Sequence, residues 1–253
     1  MNTFFQHVWT LLIGYWPSLL LGVRTTLTVS LIGTAAGFAI GLLIGGFKAV
    51  KLDFTSTKSS RILKKIYDFL ATAYIEIFRG TPMMVQAIFI YYALLKVLNW
   101  DNLTAAIFVI SINTGAYMSE IIRAGIQSID PGQTEAARSL GMSNAQTMFN
   151  VILPQAVRNS FPAIGNELIV NIKDSSVLMI ISITDLMFQS KSIAGTKYWY
   201  TETYFLTACI YLCLTLTASI ILHWIEKRMN MVQTSFPASS TSVSSISEKE
   251  RKE

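Results

Sequence analysis

The sequence predicts an all-α integral membrane protein with five transmembrane helices. Of its 253 residues, 52% are hydrophobic and only 14% are charged, which is too apolar for an ordinary soluble domain. The apolar residues lie in long segments, and basic residues cluster beside alternate ends of them. In lipid a segment must satisfy its own backbone hydrogen bonds, so each is expected to cross the membrane as a helix.

Five apolar segments are long enough for a membrane crossing, which takes about 20 helical residues. They run over Leu19 to Phe47, Ile66 to Leu98, Leu103 to Ile126, Phe161 to Met187 and Tyr204 to Ile225. The second segment is interrupted near the polar string Arg79-Gly-Thr-Pro82. We therefore predict a transmembrane domain over residues 19–228, with a break inside its second span.

Basic residues predict the orientation of these spans. The first span ends at a basic cluster made of Lys48, Lys51, Lys58, Arg61, Lys64 and Lys65. Aromatic residues typical of the opposite membrane interface occur at Trp100 and in an expected loop that carries Lys191, Lys197 and Tyr198 to Tyr200. Because lysine and arginine favour the cytoplasmic side, the N-terminus is expected outside and the C-terminus inside.

The two ends of the chain differ from the transmembrane domain. Residues 1–18 are predicted to form an interfacial segment, with Phe4 to Trp16 as a helix on the outer surface; a partly inserted segment remains an alternative. Residues 229–253 become rich in serine and threonine and then in charge. This composition buries little apolar surface, so a disordered cytoplasmic tail is expected.

A polar helix-turn-helix at about residues 128–154 separates the third and fourth spans. Asp130 is a good N-cap, Pro131 suits the first helical position, and Gln133 lies three residues after the cap. This first helix is expected to stop at Gly141, and Pro154 is expected to break the chain after the second helix.

The second short helix is predicted from another capping pattern, Ser143 with Gln146. Met142, Met148 and Phe149 then lie on an element too short to bury them by itself. We therefore expect another protein to cover this element, which we call the coupling loop.

The coupling loop carries the spacing of a known family. Glu135-Ala-Ala, three residues, Gly141, nine residues and then an apolar-x-Leu-Pro ending resemble the cytoplasmic loop of ABC importer permeases, with Val151 where that family has isoleucine. The resemblance implies a type I ABC importer-like permease fold. It also implies that the loop docks on an ATPase through Glu135, Ala136, Ala137, Gly141 and Met142.

The resemblance implies several partners in the cytoplasmic membrane. They are ATP-binding cassette ATPase subunits, a second permease subunit that is either a copy of this chain or a relative, and an extracellular amino-acid-binding protein. The chain has no Gly-x-x-x-x-Gly-Lys-Ser/Thr loop for nucleotide phosphates. We therefore expect no cofactor on this chain, with ATP and magnesium used by the partner ATPase.

The interrupted second span has the residues of a binding site. Thr81 is predicted to cap, and Pro82 to begin, a helix that restarts within the membrane, where a positive helix N-terminus favours a carboxylate. Phe-Arg-Gly-Thr-Pro followed by Gln86 resembles the histidine/glutamine/arginine branch of these permeases. Similar resemblances lie at Gly115 to Ile129, Gly165 to Ile169 and Lys173 to Leu178.

Charged residues in the spans suggest how an amino acid would bind. Its carboxylate would contact Arg79 and the Thr81 to Pro82 turn, and its ammonium would contact Glu120 or Glu167. The alternative is local salt bridging, in the pairs Glu76 with Arg79, Glu120 with Arg123 and Lys173 with Asp174. Glu167 has no such local partner and is the preferred substrate contact.

The sequence thus predicts a non-enzymatic permease subunit that imports a polar amino acid by alternating access. The alternatives are a self-sufficient secondary transporter or channel for a small polar solute, and a membrane-bound enzyme. The enzyme lacks motifs such as His-Glu-x-x-His and Gly-x-Ser-x-Gly, and lone His7 and His223 do not predict a metal site. The net charge of +5 is explained by the cytoplasmic loops and predicts no nucleic-acid partner.

Overall fold

The structure, a computed structural model, describes residues 2–50, 52 and 57–233. Its regular elements within these ranges are all helical. The α-helices are α1 (Asn2–Gly14), α2 (Trp16–Ala49), α3 (Lys58–Gly80), α4 (Met83–Leu98), α5 (Asn102–Gln127), α6 (Pro131–Ser139), α7 (Asn144–Thr147), α8 (Leu153–Asp174), α9 (Leu186–Lys197) and α10 (Tyr200–Gln233). A π-helical segment (Met148–Ile152) precedes α8, and a 3₁₀ segment (Ser175–Ile181) comes directly after it.

Three single helices are long and apolar enough to cross a membrane: α2, α5 and most of α10. Two bent helix pairs pass the same test only when each pair is taken together, so the described ranges hold up to five crossings if each pair counts as one. The chain bends by 114° between α3 and α4, and by 58° between the stretch Asn144–Ile181 and α9. The five predicted spans fit this upper count, and the break predicted inside the second span is present between α3 and α4. The fourth span, which was predicted without a break, is bent.

The core is built on the tight pairing of α2 with α5. Small residues recur on α2 every fourth position, at Gly33, Gly37, Gly41 and Gly45. A Cβ atom added to Gly41 would lie 2.3 Å from the Cβ of Met118 and 2.8 Å from its backbone carbonyl carbon. In lipid the hydrophobic effect does not drive helices together. Backbones that approach this closely are instead stabilised by dispersion contacts between the two helices.

A buried polar network ties α8 to this pair. The side-chain amide nitrogen of Asn171 donates to the hydroxyl oxygens of Thr34 at 2.8 Å and Thr114 at 3.0 Å. The hydroxyl of Ser30 donates to the backbone carbonyl of Asn171 at 3.0 Å. All four residues are buried, and the partners of Asn171 lie on α2 and α5, so the network fixes α8 against both helices.

The segment after the 3₁₀ turn is helical, where the sequence predicted a loop. The side chain of Asp185 caps α9 by accepting a hydrogen bond from the backbone of Phe188 at 2.9 Å. Lys191 therefore lies on a helix, and the prediction that it belongs to a loop is wrong; its external position stays a prediction. Tyr198 ends α9 with φ of 59°, in the left-handed conformation.

The N-terminal segment forms the predicted helix, and its apolar face packs within the chain. Leu11 is 1% exposed, and the ring of His7 stacks on Trp199 at 3.8 Å between centroids. The imidazole Nδ1 of His7 also lies 3.1 Å from the carboxylate of Glu202 on α10. The placement of α1 at the outer interface stays a prediction.

The boundaries of the terminal segments differ from the prediction. The α1 helix ends at Gly14 and α2 begins at Trp16, so the first segment breaks at Tyr15 rather than at residue 18. The α10 helix continues through Gln233, so the tail predicted from residue 229 begins as helix. Residues 234–253 and Lys51 lie outside the described residues.

Candidate substrate cavity and coupling element

The coupling loop begins and ends as its capping residues predict. The carboxylate of Asp130 accepts a hydrogen bond from the backbone N–H of Gly132 at 2.6 Å, at the start of α6. Gly141 has φ of +84°, and its N–H donates to the carbonyl of Arg138 while that of Met142 donates to the carbonyl of Ala137. These two bonds form a Schellman motif, which favours glycine because of the left-handed backbone.

The second short helix has the predicted capping box. The N–H of Gln146 donates to the Ser143 hydroxyl at 3.2 Å, and the N–H of Ser143 donates to the Gln146 side chain at 2.8 Å. The prediction that Pro154 breaks the chain after this helix is wrong, because Pro154 lies in the first turn of α8. The preceding turn is the wider π-helical form, in which an inserted residue relieves the usual constraint that proline places on a helix.

The residues predicted to contact an ATPase are not equally accessible. Glu135, Ala136 and Gly141 are exposed, Met142 is half-buried, and Ala137 is 4% exposed and faces the rest of the chain. Leu140 was not predicted as a contact, yet at 84% it is the most exposed large apolar side chain of the described residues. The sequence feature that could have indicated Leu140 is its position as an apolar residue directly before the glycine that ends the helix.

The other apolar residues of the coupling loop contact the chain itself. Phe149 packs edge-on against Phe47 with ring centroids 5.3 Å apart. Met148 lines a cavity of about 680 Å³ on the side predicted to be cytoplasmic, together with Lys48, Arg123 and Glu135. This cavity, which we call the cytoplasmic cavity, separates the coupling loop from the ends of α2 and α5.

The break between α3 and α4 lies one residue later than predicted. Thr81 is extended, with φ of −123° and ψ of 147°, as expected for a residue before proline. Its hydroxyl donates back to the carbonyl of Ile77 at 2.8 Å, and Pro82 occupies the N-cap of α4. The predicted roles of Thr81 as cap and Pro82 as first helical residue are therefore wrong by one position.

A buried glutamine closes this break. The amide nitrogen of Gln86 lies 2.9 Å from the carbonyl oxygens of Phe78 and Thr81. Its amide oxygen accepts from the side chain of Asn113 on α5 at 2.9 Å. Gln86 thus satisfies carbonyls at the end of α3; the sequence indicated it as the glutamine that follows the Phe-Arg-Gly-Thr-Pro motif, but not as a partner of these carbonyls.

A cavity of about 570 Å³ opens at this break, and we call it the substrate cavity. Helices α3, α4, α5 and α8 contribute to its wall. Its polar and charged lining includes Arg79, Thr81, Asn113, Tyr117, Glu167, Asn171 and Asp174. One guanidinium and two carboxylates therefore face a single space.

The predicted binding residues divide into two groups. Arg79, Thr81, Pro82 and Glu167 line the substrate cavity, whereas Glu120 is absent from its lining. Glu120 instead lies behind Arg79, with a carboxylate oxygen 3.6 Å from the arginine Nη1. The structure therefore brings four of the five residues together around one cavity, and Glu120 contacts Arg79 from outside that cavity.

The predicted local ion pairs are only partly present. Arg123 donates to Glu120 through Nη2 at 2.7 Å, as predicted. Arg79 pairs with Glu120 on α5 rather than with Glu76 on its own helix. Asp174 lines the substrate cavity, and its predicted pair with Lys173 is not among the ion pairs of the described residues.

Comparison with known proteins assigns the family. Residues 59–231 match the family described as the binding-protein-dependent transport system inner membrane component. The chain is 37% identical over 230 residues to the glutamine transport system permease protein of Escherichia coli strain K12, covering 90% of this chain and all of that one. The chain belongs to this family of permeases.

Solved structures agree with this assignment. The crystal structure of an amino acid ABC transporter with histidines aligns with the permease at a TM-score of 0.73 and 40% identity, covering 85% of this chain and 96% of that one. An inward-facing MetNI methionine ABC transporter also aligns at 0.73, but its 20% identity shows a shared fold alone. The predicted type I ABC importer-like fold is confirmed, and the family favours an importer subunit over a secondary transporter or channel.

The lining of the candidate cavity includes residues that the sequence did not single out. Asp174 was expected to be neutralised by its neighbour, and Asn113 and Asn171 were not selected. Asp174 comes seven positions after Glu167, which is two helical turns, so both fall on one face of α8. That spacing was the available signal.

Proposed function

We propose that this chain is the transmembrane subunit of an ATP-driven importer that moves a polar amino acid inward by alternating access. The observation that best supports this proposal is the substrate cavity at a broken helix, which is lined by Arg79, Glu167 and Asp174. A broken membrane helix is tolerated where it lines a cavity, and such breaks in transporters form substrate sites.

The charges of the cavity fit a zwitterion with a neutral or basic side chain. An α-carboxylate suits the guanidinium of Arg79, and an α-ammonium suits one of the two carboxylates. The second carboxylate then remains for a cationic or hydrogen-bond-donating side chain. We therefore expect glutamine, histidine and arginine to bind in preference to glutamate and aspartate, whose extra carboxylate would be repelled.

The coupling loop suggests the partners of the permease. We propose that ATP-binding cassette subunits, which use ATP and magnesium, dock on the exposed surface formed by Glu135, Ala136, Leu140 and Gly141. A second permease subunit would complete the pathway, and an extracellular binding protein would deliver the amino acid. An exposed apolar side chain between small residues allows the close approach that such docking requires.

Replacing Glu167 by glutamine is expected to weaken amino-acid binding by about tenfold to a hundredfold, which is the value of one charge-assisted hydrogen bond. The change removes charge and preserves shape, so assembly should persist. The measurement is ATP-dependent uptake of glutamine, histidine and arginine by proteoliposomes that contain the permease with its ATPase subunits. Glu167→Gln and Asp174→Asn should both reduce arginine uptake most strongly.

A matched control is the same substitution at Glu226, a carboxylate on α10 that lies outside the substrate cavity and 3.6 Å from His223. Glu226→Gln should leave uptake unchanged. Unaltered transport of all three amino acids by an assembled Glu167→Gln complex would contradict its role in binding. Uptake that continues without ATP would contradict the proposed importer.

The proposed orientation, N-terminus outside and C-terminus inside, predicts which sites an impermeant thiol reagent reaches in intact cells. The exposed native Cys209 and Cys213 are first changed to serine. Ser59→Cys should be protected, because it lies beside the basic cytoplasmic end of α3, and Gly195→Cys on α9 should be labelled. Both positions are exposed, so the comparison reports sidedness, and the reverse pattern would invert the topology.

A further inference from the structure

Glu120 is shared by two arginines that face different cavities. Arg79 lines the substrate cavity, whereas Arg123 lines the cytoplasmic cavity beside the coupling loop. One carboxylate oxygen of Glu120 lies 3.6 Å from Arg79 Nη1 and 2.7 Å from Arg123 Nη2. The same carboxylate therefore connects the two cavities.

The two contacts of Glu120 are unequal. The Nε of Arg123 lies 3.1 Å from both carboxylate oxygens, so with Nη2 this arginine holds Glu120 through two nitrogens. The Arg79 contact is a single, longer ion pair, and the Arg79 guanidinium also lies over the ring of Tyr117 at 5.5 Å. The Arg79 side of the bridge is thus the weaker side.

The stronger ion pair, between Glu120 and Arg123, lies near the coupling loop. Nη1 of Arg123 donates to the side chain of Gln127 at 3.1 Å, in the last turn of α5. Gln127 and Arg123 face Thr134 and Glu135 of α6 across the cytoplasmic cavity. A change in the position of Arg123 would therefore alter the wall against which the coupling loop rests.

We propose that Glu120 links amino-acid binding in the substrate cavity to the coupling loop, by competing with the bound carboxylate for Arg79. This inference rests on the proposed function, since it takes an amino acid as the ligand. An arriving carboxylate draws Arg79 from Glu120, which leaves Arg123 as the remaining partner of Glu120. The cytoplasmic end of α5 then responds to occupancy, and by linkage its position changes the affinity for the amino acid.

Two substitutions distinguish this link from simple structural support, because they change affinity in opposite directions. Glu120→Gln removes the competitor for Arg79, so the Kd for the amino acid should fall, while stimulation of ATP hydrolysis by that amino acid should be lost. Arg123→Gln lies outside the substrate cavity, but it leaves Arg79 as the main cation for Glu120. Its Kd should therefore rise, by about fivefold or more.

The measurements use the detergent-purified permease with its ATPase subunits and tritiated glutamine, histidine and arginine, for binding and for stimulated ATP hydrolysis. Glu226→Gln is the control, because it removes the ion pair of His223 with Glu226 on α10, and neither residue lines either cavity. It should change neither the Kd nor the stimulation.

Weaker binding in both variants, or normal stimulation in Glu120→Gln, would overturn the link. If one variant does not assemble, the sign of the Kd change in the other decides. Failure of the wild-type complex to bind any of the three amino acids would instead contradict the proposed function. The two failures are thus distinguishable.

Discussion

Replacing Gly41 by leucine is expected to abolish the folded permease. The added Cβ would lie 2.3 Å from the Cβ of Met118 and 2.8 Å from the backbone nitrogen of Ser119, so helix α5 itself would have to move. Overpacking a well-packed core costs about 1 to 3 kcal/mol when side chains can adjust, and more when backbones must separate. The yield of monodisperse permease after detergent extraction measures the effect.

The matched control is Gly195→Leu, because a Cβ at Gly195 has no heavy atom within 4 Å and its φ is not positive. The control protein should be recovered at the wild-type yield. A normal yield of Gly41→Leu would show that α2 and α5 do not pack as closely as described. Gly41→Ala should give an intermediate yield, because it adds the Cβ alone.

Replacing Gly141 by aspartate is expected to leave the permease folded in the membrane and to prevent coupled uptake. Aspartate tolerates the left-handed backbone better than most residues, so the end of α6 should keep its form. Its carboxylate would project from the exposed turn beside Leu140, where the proposed ATPase contact lies. A clash at the centre of an interface costs about 2 kcal/mol or more, which is about a thirtyfold loss of affinity.

Co-purification of the ATPase subunits and ATP-dependent uptake are measured together. Gly14→Asp supplies the control, because Gly14 is exposed, has open space around its Cβ position and lies outside the coupling loop. The Gly14→Asp variant should retain both co-purification of the ATPase subunits and ATP-dependent uptake. Wild-type co-purification and uptake by Gly141→Asp would remove this turn from the docking surface.

Features that depend on a few neighbouring residues were predictable from the sequence. Asp130, Gly141 and the pair Ser143 with Gln146 act on backbone groups within five positions, so their caps could be read from spacing. The apolar segments were also predictable, because any crossing of a bilayer needs a minimum apolar length. Errors appeared at Pro154, where a π-helical turn precedes the proline, and at the bounds of α9 and α10.

The substrate cavity was predictable only in part, because its geometry depends on how helices meet. Arg79 and Glu167 were found as charges within spans, which are costly unless they are paired or face a polar space. Spacing along one helix pointed Arg79 to Glu76, but the fold pairs it with Glu120. The helix α5 lies beside α3 in three dimensions, and this position is not encoded in the spacing of either helix.

Contiguous residues were enough to establish the membrane class and the caps of the coupling loop, since bilayer thickness and backbone hydrogen bonding act along the chain. Only the folded arrangement of the helices shows which charges share a cavity and which support it from behind. It sets Glu120 between Arg79 and Arg123 and places Asp174 beside the substrate cavity. Charge pairing depends on distances of a few ångström between side chains, and close packing of separate helices, as at Gly41 and Met118, sets those distances.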